Sequence, residues 1–549
     1  MKISSKAPHK LSEEYYQFVD AFTQTDFEDE KILGKFYTDF DIAASMMRVL
    51  SQYYVYDSFS SELRIIDPFC GDGRLIISLL SELRKSERIS SKRLLISIWD
   101  IDVNAVNTAK CEIAQFCEST GLKYELDARQ ADAFVEYYAV RGKYDICVTN
   151  PPWSLLKPQK LFSKNNSEEA MVGYRNAIEQ YDSYMKAAFT ISQPSSKFGK
   201  WGTNLARCGT EVALRLIKSS GFCGIVSPAS LLNDQVSSRL RSWIFENYKV
   251  INVSYYPAEL KLYGSADISS ITIVVKGGES LSVRIYSDKD TYKEKKIEKA
   301  VFEYIKRTGF CIPLKTGIEA IPIMMYLEQL PSTDEFCDAT GLSFTRELDE
   351  TRVKEKLLPT GKIEFAKGYM VDRYSFTSDQ LFLNEEMVIP PLSSSMSKVV
   401  WRDVSRDSQV HRIKATLLPP GFICGNSLGV VYGDEAALLS LKMLLAIMNS
   451  LIFEYQARSM LVSNHVSAGI VKQIRVPQPS IDMNIIELVD KQLTGQDVEN
   501  DIELAVAHLY NLSADEYEII VDSFKLDQEY RTNIIRQYRE NSHDGEKKT

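Results

Sequence analysis

Asn150-Pro151-Pro152-Trp153 puts a carboxamide, two residues without backbone N–H donors and an aromatic ring in four consecutive positions. It follows Tyr144-Asp145-Ile146-Cys147-Val148-Thr149, a short apolar run that reads as a buried strand stopped at Asn150. The prolines fix φ and remove two donors, so the strand cannot continue through them. What remains is a rigid tip with the Asn150 side-chain oxygen and the Pro151 carbonyl as acceptors, followed by an aromatic face. Such a tip suits a flat substrate bearing an NH2 group. An amine conjugated into a ring, as in adenine, is a poor nucleophile. Two acceptors draw its lone pair out of conjugation as it attacks a methyl group, while Trp153 stacks on the ring. That stabilises charge developing in the transition state and needs no general base. The same four residues also read as a strand-terminating turn with a half-buried Trp, and the elements around them must decide.

Three earlier strand ends carry matching chemistry. Arg64-Ile65-Ile66-Asp67 reads as an apolar strand that runs into Pro68-Phe69-Cys70-Gly71-Asp72-Gly73, and Leu75–Leu80 follow as a buried helix. Strand, Gly-x-Gly, helix is how a doubly wound sheet lets a ligand approach backbone at the end of its first strand. The third glycine of the dinucleotide fingerprint is absent, and no Gly-Lys-Ser/Thr marks a phosphate loop. Leu94–Trp99 form the next strand, ending at Asp100, where such folds hold ribose hydroxyls; Ile101 is then placed to lie against an adenine ring. Gln130-Ala131-Asp132-Ala133-Phe134 is a third tip, with Asp132 able to accept from an adenine amine. Upstream, Gly34-Lys35-Phe36-Tyr37-Thr38-Asp39-Phe40 leads into Ile42, Met46, Met47 and Leu50 at helical spacing. Thr38 is the expected N-cap, and the amides of that helix start would receive a carboxylate such as the methionine end of a cofactor.

This combination resembles the S-adenosylmethionine-dependent amino methyltransferases of DNA. Asp67-Pro68-Phe69-Cys70-Gly71-Asp72-Gly73 looks like their cofactor motif and Asn150-Pro151-Pro152-Trp153 like their catalytic motif. The order of the Gly34–Thr38 segment, cofactor motif, catalytic motif and recognition domain is the gamma arrangement, typical of adenine N6 enzymes of restriction–modification systems. The resemblance implies S-adenosyl-L-methionine as cofactor, held by Thr38, Asp67, Phe69, Gly71, Gly73, Asp100, Ile101, Asp132 and Phe134, with Asn204 near it. It implies double-stranded DNA as substrate, a separately encoded partner endonuclease and action as a monomer. Asp39 stands where the family usually has proline, and Trp153 where tyrosine is commoner. Asn before the prolines favours adenine over cytosine N4, and no Pro-Cys dipeptide supplies the nucleophile of cytosine C5 enzymes. RNA or protein-glutamine methyltransferases share the catalytic tip, and a non-catalytic DNA-binding subunit could keep the fold. The large C-terminal region argues against the former, the intact motifs against the latter.

The expected fold is α/β, a Rossmann-like methyltransferase sheet with a closing antiparallel hairpin, followed by a C-terminal α+β target-recognition domain. Val250–Val253 and Ile271–Val275 read as the closing strands, and Tyr263 between them is the candidate to cover the face of a flipped base opposite Trp153. The residue pattern divides the chain into a helical arm (1–30), a catalytic domain (31–285), a charged connector (286–330), a recognition domain (331–480) and an acidic helical region (481–549). The long connection 154–200 reads as a mobile cover over DNA or target base. A helix is expected from Leu439 through Ile452. In the recognition domain the loops bearing Arg373, Trp401, Arg402, Arg406, Asn464 and His465 hold the residue types that read base edges and grip phosphates.

With 549 residues, two or three domains are expected, and 44% hydrophobic with 25% charged residues is a soluble globular composition. No apolar run approaches membrane-spanning length and no signal-peptide core follows the N-terminus, so no membrane partner is expected. Nine scattered cysteines without a Cys-x-x-Cys pair give neither a metal site nor a disulfide scaffold, which fits a reducing bacterial cytoplasm. Residues 481–549 carry 16 acidic and 7 basic side chains, which accounts for the whole net charge of −9. The rest of the chain is balanced, so the acidic total does not argue against a nucleic-acid partner.

Overall fold

The computed structural model describes residues 7–22, 36–54, 60–85, 89, 91–159, 162, 166–194, 202–263, 268–278, 284–286, 295–296, 299–307, 309–312, 320–384, 388–406, 409–461 and 464–546. The chain forms two compact units, Met1–Leu314 and Lys315–Thr549.

The first unit is built on nine strands: β1 (Glu62–Asp67), β2 (Arg93–Asp100), β3 (Lys123–Gln130), β4 (Tyr144–Thr149), β5 (Ile217–Pro228), β6 (Tyr248–Tyr256), β7 (Ser270–Gly277), β8 (Arg284–Tyr286) and β9 (Lys295–Lys296). Their order is β3-β2-β1-β4-β5-β7-β6-β8-β9. β1 to β5 are mutually parallel, and β7 runs antiparallel between β5 and β6. This is the Rossmann-like sheet with its closing hairpin, extended by two short strands. The central parallel strands β1, β2 and β4 are largely buried under helices, whereas β3 at the sheet edge is mostly polar and partly exposed. The order reverses between β1 and β4, so the ends of those two strands open side by side, where a ligand crevice forms in such sheets.

The helices that matter to the site are α1 (Pro8–Phe22), α2 (Phe40–Tyr53), α3 (Arg74–Lys85), α4 (Val103–Thr120), α5 (Ala133–Val140), α6 (Glu168–Ala188) and α7 (Leu205–Leu216). α2, α3 and α4 share one core with the sheet: Met46 and Leu50, Leu75 and Leu79, and Ala109 and Ile113 close over Ile65, Ile96 and Ile146. α7 packs on β4 and β5, and α1 lies along α6. The expected N-cap of α2 is corrected: Asp39, not Thr38, accepts from Asp41 N and Ile42 N. Thr38 is buried one residue earlier.

Two expectations for the connection 154–200 and the arm also change. The described part of 154–200 is dominated by α6, which is anchored rather than loose. Tyr15 of α1 stacks on Tyr181 of α6 at 5.2 Å, and Gly173 brings α6 so close to Phe18 that a methyl group there would clash. The arm and this connection thus form one aromatic-packed pair belonging to the first unit.

The second unit is α+β. One antiparallel sheet runs Ser343–Thr345, Leu428–Gly433, Ser397–Arg402, Ala415–Leu418 in that order, and a second one is made of short strands. The expected single helix from Leu439 to Ile452 is two, Leu438–Met448 and Leu451–Met460, broken at Asn449-Ser450. Asn449 Oδ1 accepts from Ala415 N and its Nδ2 donates to Ala415 O, so the break is pinned to the sheet edge. The acidic region 481–549 is not a separate body. Its Tyr510, Tyr517 and Tyr538 sit in the same core as Trp401, Leu444 and Ile452. Among the described residues no single helix is long and apolar enough to cross a membrane.

Candidate active site

β4 ends where its sequence says it must, and the tip is then fixed from two sides. The Asn150 Nδ2 donates to Phe36 O at 2.6 Å and to Thr38 Oγ1 at 3.1 Å. Both amide hydrogens are therefore committed, which assigns the carboxamide orientation and leaves Oδ1 as a buried acceptor with no hydrogen-bond partner. A buried acceptor left unpaired costs about 1–3 kcal/mol, a cost that a ligand bringing a donor to Asn150 would remove. Beneath the tip the Pro151 ring lies against Gly209 of α7, where a side-chain methyl would not fit. Gly209 holds the tip in place, and sequence reading missed it because nothing local marks a helical glycine as a close contact.

The tip opens into a cavity with about 1150 Å³ of empty space, its open mouth included. Thr38, Phe69, Gly71 and Asp100 line it together with Asn150 and Pro152, as do Ile101, Asp132 and Phe134. Gly71, at φ +51°, turns the loop so that its N–H donates to Asp100 Oδ2 at 3.0 Å. The other oxygen of Asp100 accepts from Asp102 N at 3.0 Å. Both backbone bonds hold the carboxylate at the end of β2, where it lines the cavity. Asp132 caps α5 through Phe134 N and also accepts from Ser12 Oγ and Tyr181 Oη. Burial raises its pKa, and those hydrogen bonds oppose the rise.

Several expected contacts are corrected. Asp67 is fully buried beneath the loop: it accepts from Phe69 N at 3.1 Å and does not line the cavity. Burial pushes its carboxyl up to about 7, and a hydrogen bond from Phe69 N opposes this. Gly73 faces α4, where an added methyl would lie 3.1 Å from the Ala109 backbone, so it serves helix–loop packing. Asn204 caps α7 by accepting from Arg207 N at 3.0 Å and keeps its expected place by the cavity, which the adjacent Leu205 lines. Trp153 and Tyr263 do not stand on opposite sides of a base-wide slot. Their ring centroids are 4.6 Å apart at 63°, Phe36 packs on both, and the buried Tyr263 hydroxyl donates to Ser270 Oγ at 3.1 Å. Two rings sandwiching a third need about twice the stacking distance, so the paired faces are not formed in this structure.

The residues that reading the sequence missed come from α1 and from the segment before α2. Tyr15 and Tyr16 line the cavity next to Asp132. A Tyr-Tyr doublet in phase with Leu11 and Val19 was the available signal. Phe36 and Tyr37 line it too, and Arg74 at the start of α3 is the one cationic side chain among the described residues of the lining.

The expected DNA contacts of the second unit divide in two. Arg373 is nearly buried and ion-paired with Glu499. Trp401 is wholly buried, its Nε1 donating to Val466 O at 2.9 Å. Arg402 is spent on Val371 O, Tyr369 O and Asp372. These three hold the fold. Arg406, Asn464 and His465 are exposed on one edge, joined by the bridge between Val404 and His465 and by Ser405 N donating to Asn464 O. His465 Nδ1 lies 2.9 Å from Asp403 Oδ2.

Comparison with known proteins adds to this geometry. Residues 6–191 match the family model of the N-6 DNA Methylase. Over 127 residues the chain is 29% identical to the Type II methyltransferase M.VspI of Vibrio sp. (strain 343), a stretch that covers 23% of this chain and 27% of that one. The cryo-EM structure of the DrdV–DNA complex superposes with a TM-score of 0.50 at 11% identity, covering 89% of this chain and 59% of that one. At that identity the likeness is one of fold. The chain thus spans about a quarter of the curated relative's length and about three fifths of DrdV's.

Proposed function

We propose that this chain, whose residues 6–191 carry the N-6 DNA Methylase match, transfers a methyl group from S-adenosyl-L-methionine to the N6 amine of an adenine at a specific DNA sequence. The observation that carries the reading is the Asn150 carboxamide: both N–H groups held, Oδ1 buried and unpaired, at the switch point of the sheet. An acceptor so arranged calls for an N–H donor from the substrate, as an adenine amine provides and a carboxylate or phosphate does not.

The cavity residues fit the cofactor. Asp100, braced by two backbone amides, stands at the end of β2 where such folds hold ribose hydroxyls, Gly71 gives close backbone approach, and Ile101 with Phe134 supplies apolar cover. When bound, the cofactor supplies an electrophilic methyl group on a sulfonium. Every other part of the work falls to the protein's own side chains and backbone. Asn150 Oδ1 and the Pro151 carbonyl accept from the adenine amine, which localises its lone pair for attack. No side chain has to remove a proton before attack; the methylated amine gives up its extra proton to solvent afterwards. Because Asn150 is pre-oriented by Phe36 and Thr38, little reorganisation accompanies the reaction.

Adenine has to leave the duplex to reach this tip, at a cost of a few kcal/mol. Trp153, packed against Phe36 and Tyr263 in the free protein, stacks on the base once those rings part, which offsets part of that cost. The second unit reads the sequence, with the Arg406, Asn464 and His465 edge against DNA, and the modification protects host DNA from a separately encoded nuclease. The enzyme acts as a monomer in the bacterial cytoplasm.

The test is long-read sequencing of DNA from a methylation-free bacterial host expressing this chain. N6-methyladenine at one short sequence is expected. Cytosine N4 marks would overturn the choice of base, and an unmarked genome would overturn DNA methylation by this chain alone.

A further inference from the structure

The cavity is unbalanced in charge. Four carboxylates line it, Asp72, Asp100, Asp102 and Asp132, against a single cation, Arg74, among the described residues. A ligand with hydroxyls, an ammonium and a sulfonium suits the acids. Its one anionic group, an α-carboxylate, has to be met elsewhere. The start of α2 does not meet it, because Asp39 fills the first-turn amides with its own carboxylate. A second carboxylate there would face a like charge.

Resting on the cofactor reading above, we infer that Asp72 and Arg74 together read the zwitterionic amino-acid end of the cofactor, Arg74 taking the carboxylate and Asp72 the ammonium. Arg74 Nε donates to both Asp72 oxygens, at 3.0 and 2.9 Å, its Nη2 donates to Asp72 Oδ2, and its Nη1 donates to Thr38 O at 2.5 Å. A guanidinium has five N–H donors, so these bonds leave donors for a bidentate carboxylate. Its plane is steadied by the rings of Phe40 at 4.5 Å and Tyr37 at 5.3 Å, and the pair is only about one quarter exposed, with 21% for Arg74 and 27% for Asp72.

The placement ties binding to chemistry. Thr38 receives Arg74 on its carbonyl and Asn150 on its hydroxyl, so one residue links the zwitterion reader to the catalytic carboxamide. A ligand that engages Arg74 therefore acts on the same short segment that orients Asn150. Arg74 is a positioning residue for the reaction and a binding residue for the cofactor.

Isothermal titration of the full-length protein with two ligands tests this. S-adenosylhomocysteine carries the amino-acid end, and 5′-methylthioadenosine lacks it. The wild type should bind the first at least tenfold more tightly than the second. Arg74→Met, which keeps the apolar stem between the rings, should lose roughly tenfold or more in affinity for S-adenosylhomocysteine and stay within about twofold for 5′-methylthioadenosine. Arg74→Lys should recover part of the loss. An equal loss for both ligands would make Arg74 a structural strut, and an unchanged S-adenosylhomocysteine affinity would also overturn the inference. Failure of the wild type to bind either ligand would instead overturn the cofactor reading itself. Circular dichroism of each variant separates lost binding from lost fold.

Discussion

Gly71 and Gly73 sit two residues apart in one loop, yet their alanine variants should fail in different ways. Both have positive φ, +51° and +83°, so an L side chain costs about 1–2 kcal/mol at either position. The surroundings differ. At Gly73 the new methyl would lie 3.1 Å from both Cα and Cβ of Ala109 and 3.2 Å from Ile113 Cδ1, in the packed face between loop and α4. Backbone cannot yield there as a free side chain would, and overpacking adds about 1–3 kcal/mol. Gly73→Ala should therefore lose about 3 kcal/mol of stability. At Gly71 the methyl would meet only the Tyr37 ring, at 3.2 Å on the cavity wall. That ring can shift by a few tenths of an ångström, so the stability loss should stay near 1–2 kcal/mol. The displaced ring and the added methyl intrude on the ligand, and cofactor affinity should fall tenfold or more. Urea unfolding and calorimetric titration on the same preparations separate the two effects. A Gly73→Ala protein of native stability that had lost cofactor binding would refute the division, as would a Gly71→Ala protein less stable than Gly73→Ala with unchanged affinity.

The corrected second unit makes its own predictions. Trp401→Ala should cost about 3–5 kcal/mol and Arg373→Ala about 2 kcal/mol in urea unfolding, because one empties a buried site and the other strands Glu499, whereas Arg406→Ala and His465→Ala should leave stability within about 0.5 kcal/mol and weaken DNA binding in a filter assay. Burial pushes the Glu503 carboxyl up to about 7, against bonds from Leu451 N and Tyr517 Oη. The folded chain thus holds this proton more tightly than the unfolded one, so the associated stability is present below about pH 4.5 and lost as pH rises through 7. Urea midpoints followed from pH 5 to 8 should decline across that window, and Glu503→Gln should flatten the decline. Gly209→Ala, far from the cofactor motif in sequence, should push Pro151 at 2.4 Å harder than the Phe69 ring at 3.2 Å, and so lower turnover at least tenfold with a smaller loss of cofactor affinity, measured by single-turnover methylation and calorimetric titration.

Much of the first unit was legible because its chemistry is local. A strand, a turn and an acid within a few residues define each tip, and the sheet places β1 and β4 side by side by a topological rule rather than by particular side chains. The partners of those tips were not legible. Phe36 O and Asn150 are 114 residues apart, and Ser12 and Asp132 are 120 apart. No periodicity encodes such pairs. The same limit holds in the second unit. Arg373 looked like a phosphate contact until Glu499, 126 residues on, proved to neutralise it, and Trp401 looked like an exposed aromatic until its indole met Val466 O. A polar residue in a short strand reads alike whether it faces water or a partner. Only Arg406, Asn464 and His465, in loops with no apolar period of their own, ended on the surface.

The most direct test is nucleoside mass spectrometry of bacterial DNA incubated with the purified chain and methyl-labelled S-adenosyl-L-methionine, run in parallel with Asn150→Ala. N6-methyladenine carrying the label is predicted for the wild type, with a rate at least a hundredfold lower for Asn150→Ala at cofactor affinity within a few fold. Labelled adenine at an equal rate in the variant would contradict the role given to Asn150, and label in cytosine, or in no base, would contradict the reaction itself.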